Sequence, residues 1–171
     1  LGFTYGGGAK AMLQDIRTVN RKIHTQYPDL PVILMGHSMG SLAVRAFVAE
    51  HDSCVDMLIV CGSPSYNTAM PLGVGIAKME KAVLGPRHRS KLIEAMSFGA
   101  GAAKFRKDKT CTAWICSDPK VAQEYKESEL CGFTFTDDAY LALFELMKRA
   151  YDTEKFSCTN PKMPVLFVSG A

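Results

Sequence analysis

The chain lacks any run approaching the ~18 consecutive apolar residues of a membrane-spanning helix, so no integral membrane segment is expected among its 171 residues. It also lacks charge imbalance. Twenty Lys and Arg against 17 Asp and Glu leave a formal net charge of +3, spread along the chain, and no nucleic-acid partner is expected. The one local basic cluster, Lys104, Arg106, Lys107 and Lys109, reads as a solvated turn. Phosphate-cradling patterns are missing as well: there is no Gly-x-Gly-x-x-Gly and no Gly-Lys-Ser/Thr, so no nucleotide cofactor is implied. The six cysteines, at 54, 61, 111, 116, 131 and 158, contain no Cys-x-x-Cys pair, and no histidine stands at ligand spacing from a pair of them. They read as reduced, buried or incidental thiols of a cytoplasmic protein, and no metal is expected.

What is present is ordinary globular composition, 47% hydrophobic and 22% charged, enough for one domain with a real core. After Gly6-Gly7-Gly8, residues 9–27 carry Met12, Ile16, Val19 and Ile23 at helical spacing, which predicts an amphipathic helix ended by Tyr27-Pro28. Pro31 to Met35 is a short continuous apolar run, the pattern of a strand buried on both faces of a parallel sheet. A helix over 39–50 follows, with Leu42, Ala43, Ala46 and Phe47 inward, and then a second buried strand over 57–61. Strand, helix and strand joined by short loops force a parallel pair with a right-handed crossover. From 65 to 161 the pattern changes: helical stretches near 73–83, 87–97 and 136–151, the last capped by Thr136, make a segment too long for a plain crossover. A third buried strand, 164–170, closes the chain.

The chemistry lies between the first strand and the helix after it, in Gly36-His37-Ser38-Met39-Gly40. A serine hydroxyl becomes a useful nucleophile only when its proton is taken and its oxygen is presented clear of the backbone. A sharp strand-to-helix turn presents it, and glycines two residues either side are expected because a Cβ at 36 or 40 would strike the neighbouring strand or helix. Ser38 is therefore the candidate nucleophile. The backbone N–H of Met39, at a helix N-terminus, is the candidate oxyanion donor.

Gly-His-Ser-Met-Gly-Ser followed by Leu-Ala-Val-Arg resembles the lysophospholipase and monoacylglycerol-lipase-like branch of the α/β-hydrolases, whose members are often described as serine aminopeptidase-like. The helix carrying Asp15, Tyr27-Pro28, Trp114-Ile115-Cys116-Ser117-Asp118, Tyr125 and Cys131-Gly132-Phe133 are similar to that branch too, the later segments to the cap of bacterial members. The resemblance implies an α/β fold fragment: hydrolase core over 1–64, an inserted, mainly helical cap over 65–161, and a return strand over 162–171. It implies an acyl-enzyme on Ser38 and a small-molecule acyl ester or lipid substrate, with no cofactor. Met70, Leu72, Val74, Ile76, Met79, Val83, Leu84, Met96, Phe98 and Phe105 supply apolar and flexible side chains for a greasy group. A peptidase, with Glu124, Glu127 and Glu129 as loose amine anchors, and a non-catalytic binding protein on the same scaffold are the alternatives. Family order runs nucleophile, acid, histidine, and it places the catalytic acid and histidine outside these residues, so that the fragment itself is expected to be inactive. None of the histidines inside fits the role of base. His24 reads as solvated, His37 as packed beside the sheet, His51 as a helix C-terminal charge and His88 as part of an exposed turn, while Asp118 before Pro119 reads as a helix cap.

Overall fold

The computed structural model describes residues 6–104 and 115–170, with side-chain surroundings for 6–97 and 115–170. The expected basic cluster beyond Lys104, together with Phe105, Cys111 and Trp114, lies outside the described residues. By internal contacts the described residues divide into two units, one of Gly6–Thr68 with the residues from Ala142 onward, the other within Ala69–Leu141.

The first unit is built on a parallel sheet. Helix α1 spans Gly8–Gln26, strand β1 Ile33–His37, helix α2 Met39–His51, strand β2 Met57–Cys61 and strand β3 Val165–Val168. The strands lie in the order β1-β2-β3, with Ile33 opposite Met57, His37 opposite Cys61, and Leu58 opposite Val165. Strand β1 starts two residues later than the apolar run suggests. Pro31 has no N–H to give a ladder, and Val32 is held apart from it, donating to the Asp56 carboxylate at 2.7 Å and accepting from the Asp56 amide at 2.9 Å. The strand continues past Gly36 to His37, delivering the next residue to the end of the sheet.

Helix α2 covers one face of this sheet. Val44, Phe47 and Val48 from α2 join Val55, Leu58 and Val60 in the core, with Leu13, Ile16, Leu34, Cys54 and Met163 packed around them. The opposite face differs from expectation. Ile33 and Met35 are 56% and 59% exposed, and all four residues of β3 are between 44% and 67% exposed. The runs predicted to be buried on both faces are thus covered on one, because the helices of this unit pack on the α2 side.

Helix α1 also faces inward differently from its apolar stripe. Val19 and Ile23 are exposed, while Ala9 and Asn20 are buried and Leu13, Ile16 and His24 half-buried, at the i, i+4 spacing of one helical face. Two polar residues belong to that face because the Cys54 carbonyl needs partners: Asn20 Nδ2 lies 3.1 Å and His24 Nε2 3.0 Å from it. His24 is therefore not solvated as its position on the helical wheel suggested.

The end of α2 is anchored by Asp52, a buried residue in a short 3-10 turn. Its carboxylate accepts from the Asn160 amide at 2.7 Å, the Ser157 hydroxyl at 3.0 Å and the Thr159 hydroxyl, all on the segment leading into β3.

The second unit is helical. It contains α3 (Met70–Leu84), α4 (Lys91–Lys104), α5 (Pro119–Glu127) and the first turn of α6 (Asp137–Tyr151), whose later turns belong to the first unit. Gly85, at φ 89°, ends α3 in a conformation open to glycine. Ser90 caps α4 through Ile93 N, Thr136 caps α6 through Ala139 N, and Asp118 caps α5 through Lys120 N at 2.8 Å. No helix among the described residues is long and apolar enough to cross a membrane.

Candidate active site at the strand-to-helix turn

Ser38 stands between β1 and α2 with φ 52° and ψ −121°. Only one other non-glycine residue among those described, Cys158, has a positive φ. Holding an L-residue there costs on the order of 1–3 kcal/mol, so the surrounding structure must impose it. Its hydrogen bonds show how. The Ser38 amide donates to the Cys61 carbonyl at 3.0 Å, extending the β1–β2 ladder by one step. Its carbonyl accepts from the Ser41 amide at 3.0 Å and the Ser41 hydroxyl at 2.5 Å. The backbone is tied on both sides while the exposed side chain does not cap the helix.

Gly36 makes this turn possible. A Cβ there would lie 2.4 Å from the Gly40 carbonyl oxygen and 2.6 Å from Val44 Cγ2. Gly40 departs from expectation: a Cβ on it meets nothing within 4 Å, so the steric demand is one-sided. The close approach is made by the Gly40 carbonyl, not by its Cα face. Met39, half-buried, contributes the first amide of α2, which has no intrahelical partner and points where the helix dipole favours negative charge. His37 is exposed, and its ring flanks Gly62 just beyond β2, with Nε2 3.4 Å from where a Gly62 Cβ would stand.

Two features of the site gave no separate signal in the sequence. Ser41 is fully buried and clamps the Ser38 carbonyl. Arg45, one turn further on, donates to the Ser63 hydroxyl and the Ala150 carbonyl, both at 3.0 Å, and lies 4.3 Å from the centre of the Tyr151 ring. Tyr151 in turn donates to the Pro64 carbonyl at 2.9 Å. Arg45 thus binds the loop after β2 to the end of α6 behind the turn. It lies in the Leu-Ala-Val-Arg stretch, but only the fold reveals its partners.

No histidine among the described residues bonds Ser38. His24 is bound to Cys54, and His51 packs its ring at a tilt against Phe47 at the far end of α2, about 20 Å away for a 13-residue helix. His88 belongs to the helical unit, where it is half-buried against Asp137 and not on an exposed turn. A cavity of about 320 Å³ lined by Arg17, Asn20, Arg21, His24, His51 and Cys54 sits at that same far end of α2, remote from the serine. Asp118 serves as a helix cap.

A family model described as serine aminopeptidase, S33, matches residues 5–171. The chain belongs to this family. No curated protein matches it. Among solved structures, this family member is similar to a highly thermostable carboxyl esterase from Bacillus coagulans, at 19% identity and TM-score 0.74, covering 95% of this chain and 64% of that one. It is also similar to a lipase in an open form, at 21% identity and TM-score 0.79, covering 94% and 53%. A third likeness is to the monoacylglycerol lipase of Paleococcus ferrophilus, at 18% identity and TM-score 0.65, covering 99% and 55%. The chain therefore spans less than two thirds of each of these structures. At such identities the likeness establishes the α/β-hydrolase fold, of which the three-stranded parallel sheet and its flanking helices are part.

Proposed function

We propose that the protein hydrolyses carboxylic esters through an acyl-enzyme on Ser38. The observation that carries this reading is the backbone of Ser38: a non-glycine residue held at positive φ, its amide and carbonyl both bonded and its side chain left exposed at the head of a helix. Strain fixed in this way has a use if the hydroxyl must be presented. In the proposed step Ser38 Oγ attacks the ester carbonyl, its proton passes to a histidine supplied from beyond these 171 residues, and the Met39 amide holds the oxyanion. The tetrahedral intermediate expels the alcohol, and water then releases the acid and restores Ser38.

For the substrate we favour acyl-chain lipids of the monoacylglycerol or lysophospholipid type. Leu72, Met79 and Val83 form an apolar stripe along α3 and are 61%, 62% and 77% exposed. Exposed apolar and methionine side chains at helical spacing suit a flexible hydrocarbon. We assign the insertion over 65–161, whose helical centre is the unit Ala69–Leu141, to a helical cap domain. The names of the similar structures, an esterase, a lipase and a monoacylglycerol lipase, support the same chemistry. The five described cysteines are free, which supports a reducing, cytoplasmic setting.

The test is a substrate panel on the full-length protein: monoacylglycerols and p-nitrophenyl esters of graded chain length beside aminoacyl anilides. Ester turnover that rises with chain length, and that falls by about 10⁴-fold or more in Ser38→Ala, is the expected outcome. Cleavage of anilides in preference to esters would replace the esterase with the aminopeptidase that the family description names.

A further inference from the structure

Glu80 on α3, His88 on the loop before α4, and Asp137 in the first turn of α6 converge within the helical unit, far apart in sequence and bearing no motif. One ligand atom from each lies within 4.8 Å of the others. His88 Nδ1 is 3.1 Å from Asp137 Oδ2 and 3.9 Å from Glu80 Oε2. Asp137 is 0% exposed, yet its Oδ1 has no hydrogen-bond partner among the described residues, and neither has the buried Glu80 Oε2. A buried carboxylate oxygen left without a donor is costly, and native structures rarely keep one without a reason. Among the described residues, Glu80 Oε2, unpartnered, and Asp137 Oδ2, bonded only to His88, flank the imidazole nitrogen, and the second Asp137 oxygen beside them is unpartnered too, an arrangement that points to a ligand that accepts electron pairs.

We propose that Glu80, His88 and Asp137 bind a divalent transition-metal ion, Zn²⁺ by preference, at a site distinct from the Ser38 turn. Ligands at ~2.1 Å around a tetrahedral ion lie about 3.4 Å apart. The two histidine–carboxylate separations bracket that value. One imidazole with two carboxylates suits Zn²⁺ better than Mg²⁺ or Ca²⁺, which take oxygen alone. Two carboxylates and a neutral imidazole also balance a double positive charge, leaving a fourth position for water. The frame is prepared, since the Asp137 amide donates to the His88 carbonyl at 2.9 Å and holds the two residues together independently of their side chains. Neighbouring cations are engaged elsewhere: Lys81 pairs with Asp138 at 2.5 Å, and Arg89 donates to the Thr134 carbonyl at 2.5 Å. The ion clips α3, the loop before α4 and the start of α6 into one body.

The test is titration of chelator-treated full-length protein with Zn²⁺ by calorimetry, with Tm measured in parallel and Co²⁺ used as a spectroscopic substitute. One equivalent of Zn²⁺ should bind and raise Tm, because the site exists only in the folded chain. The Co²⁺ form should show d–d bands without a sulfur-to-cobalt band. His88→Gln and Glu80→Gln should each weaken binding by at least about tenfold, while Asp137→Asn tests the buried ligand if it folds. Absence of Zn²⁺ binding to the wild type would overturn the proposal, as would undiminished affinity in both His88→Gln and Glu80→Gln, or a thiolate band placing the ion on cysteine. None of these outcomes bears on Ser38.

Discussion

Gly36 and Gly40 occupy symmetric places about Ser38, yet the space around them is not symmetric. Gly36→Ala would drive a methyl group into the Gly40 carbonyl, a backbone group unable to move without shifting the turn, and into the Val44 side chain. It should destabilise the protein by about 3 kcal/mol and displace the serine. Gly40→Ala meets open space in the first turn of α2 and should leave stability unchanged or raise it by up to about 1 kcal/mol. Denaturant midpoints of the two variants beside the wild type decide the matter, and equal losses would contradict this geometry. The serine, the two glycines and the helix after them were legible in the sequence because a sharp turn between strand and helix leaves a short local pattern. Ser41 and Arg45 were not legible in the same way: their roles depend on the Ser38 carbonyl and on Ser63 and Ala150, partners that a linear reading does not bring together. Glu80, His88 and Asp137 were illegible for the same reason, since no local spacing relates them and the sequence alone led to the expectation of no metal.

Among the elements, the strands and most helices were read near their observed places, but α4 lies later than the expected 87–97 and α5 was foreseen only through its Asp118 cap, and the inward faces were less well read. In α1 the apolar residues Val19 and Ile23 lie outward and Asn20 and His24 inward, because hydrogen bonds to Cys54 fix the rotation of the helix more firmly than its apolar stripe does. The join between α2 and the segment entering β3 depends likewise on polar contacts. Burial tends to raise the pKa of Asp52, but donation from the Asn160 amide, the Thr159 and Ser157 hydroxyls and the Thr159 amide outweighs it and holds the carboxyl below its ordinary value. The folded carboxylate thus holds its proton less tightly than the unfolded one. Its contribution is complete above the unfolded value of about 3.9 and is lost as the pH falls through the lower folded value. Asp52→Asn should cost about 2 kcal/mol at pH 7, and the gap from the wild type should narrow below about pH 4. A gap independent of pH in chemical denaturation would show that shape, not charge, makes the anchor.

At the scale of the whole molecule, the sheet is covered by α2 on one face and exposes Ile33, Met35 and the residues of β3 elsewhere. Buried strands were expected from their continuous apolar runs, and such runs record a second covering layer that the helices of this unit do not supply. The same holds for chemistry. The chain spans less than two thirds of the structures it resembles, and none of its described histidines reaches Ser38. Under the proposed function, reactivity at Ser38 would belong to the full-length protein, and it is the most searching test of this account. The full-length protein should be labelled covalently by a fluorophosphonate, with mass spectrometry placing the adduct on Ser38 and Ser38→Ala abolishing it. A folded full-length protein that takes no label, or that takes it equally with Ser38 replaced, would contradict the assignment and leave a binding protein on a hydrolase scaffold.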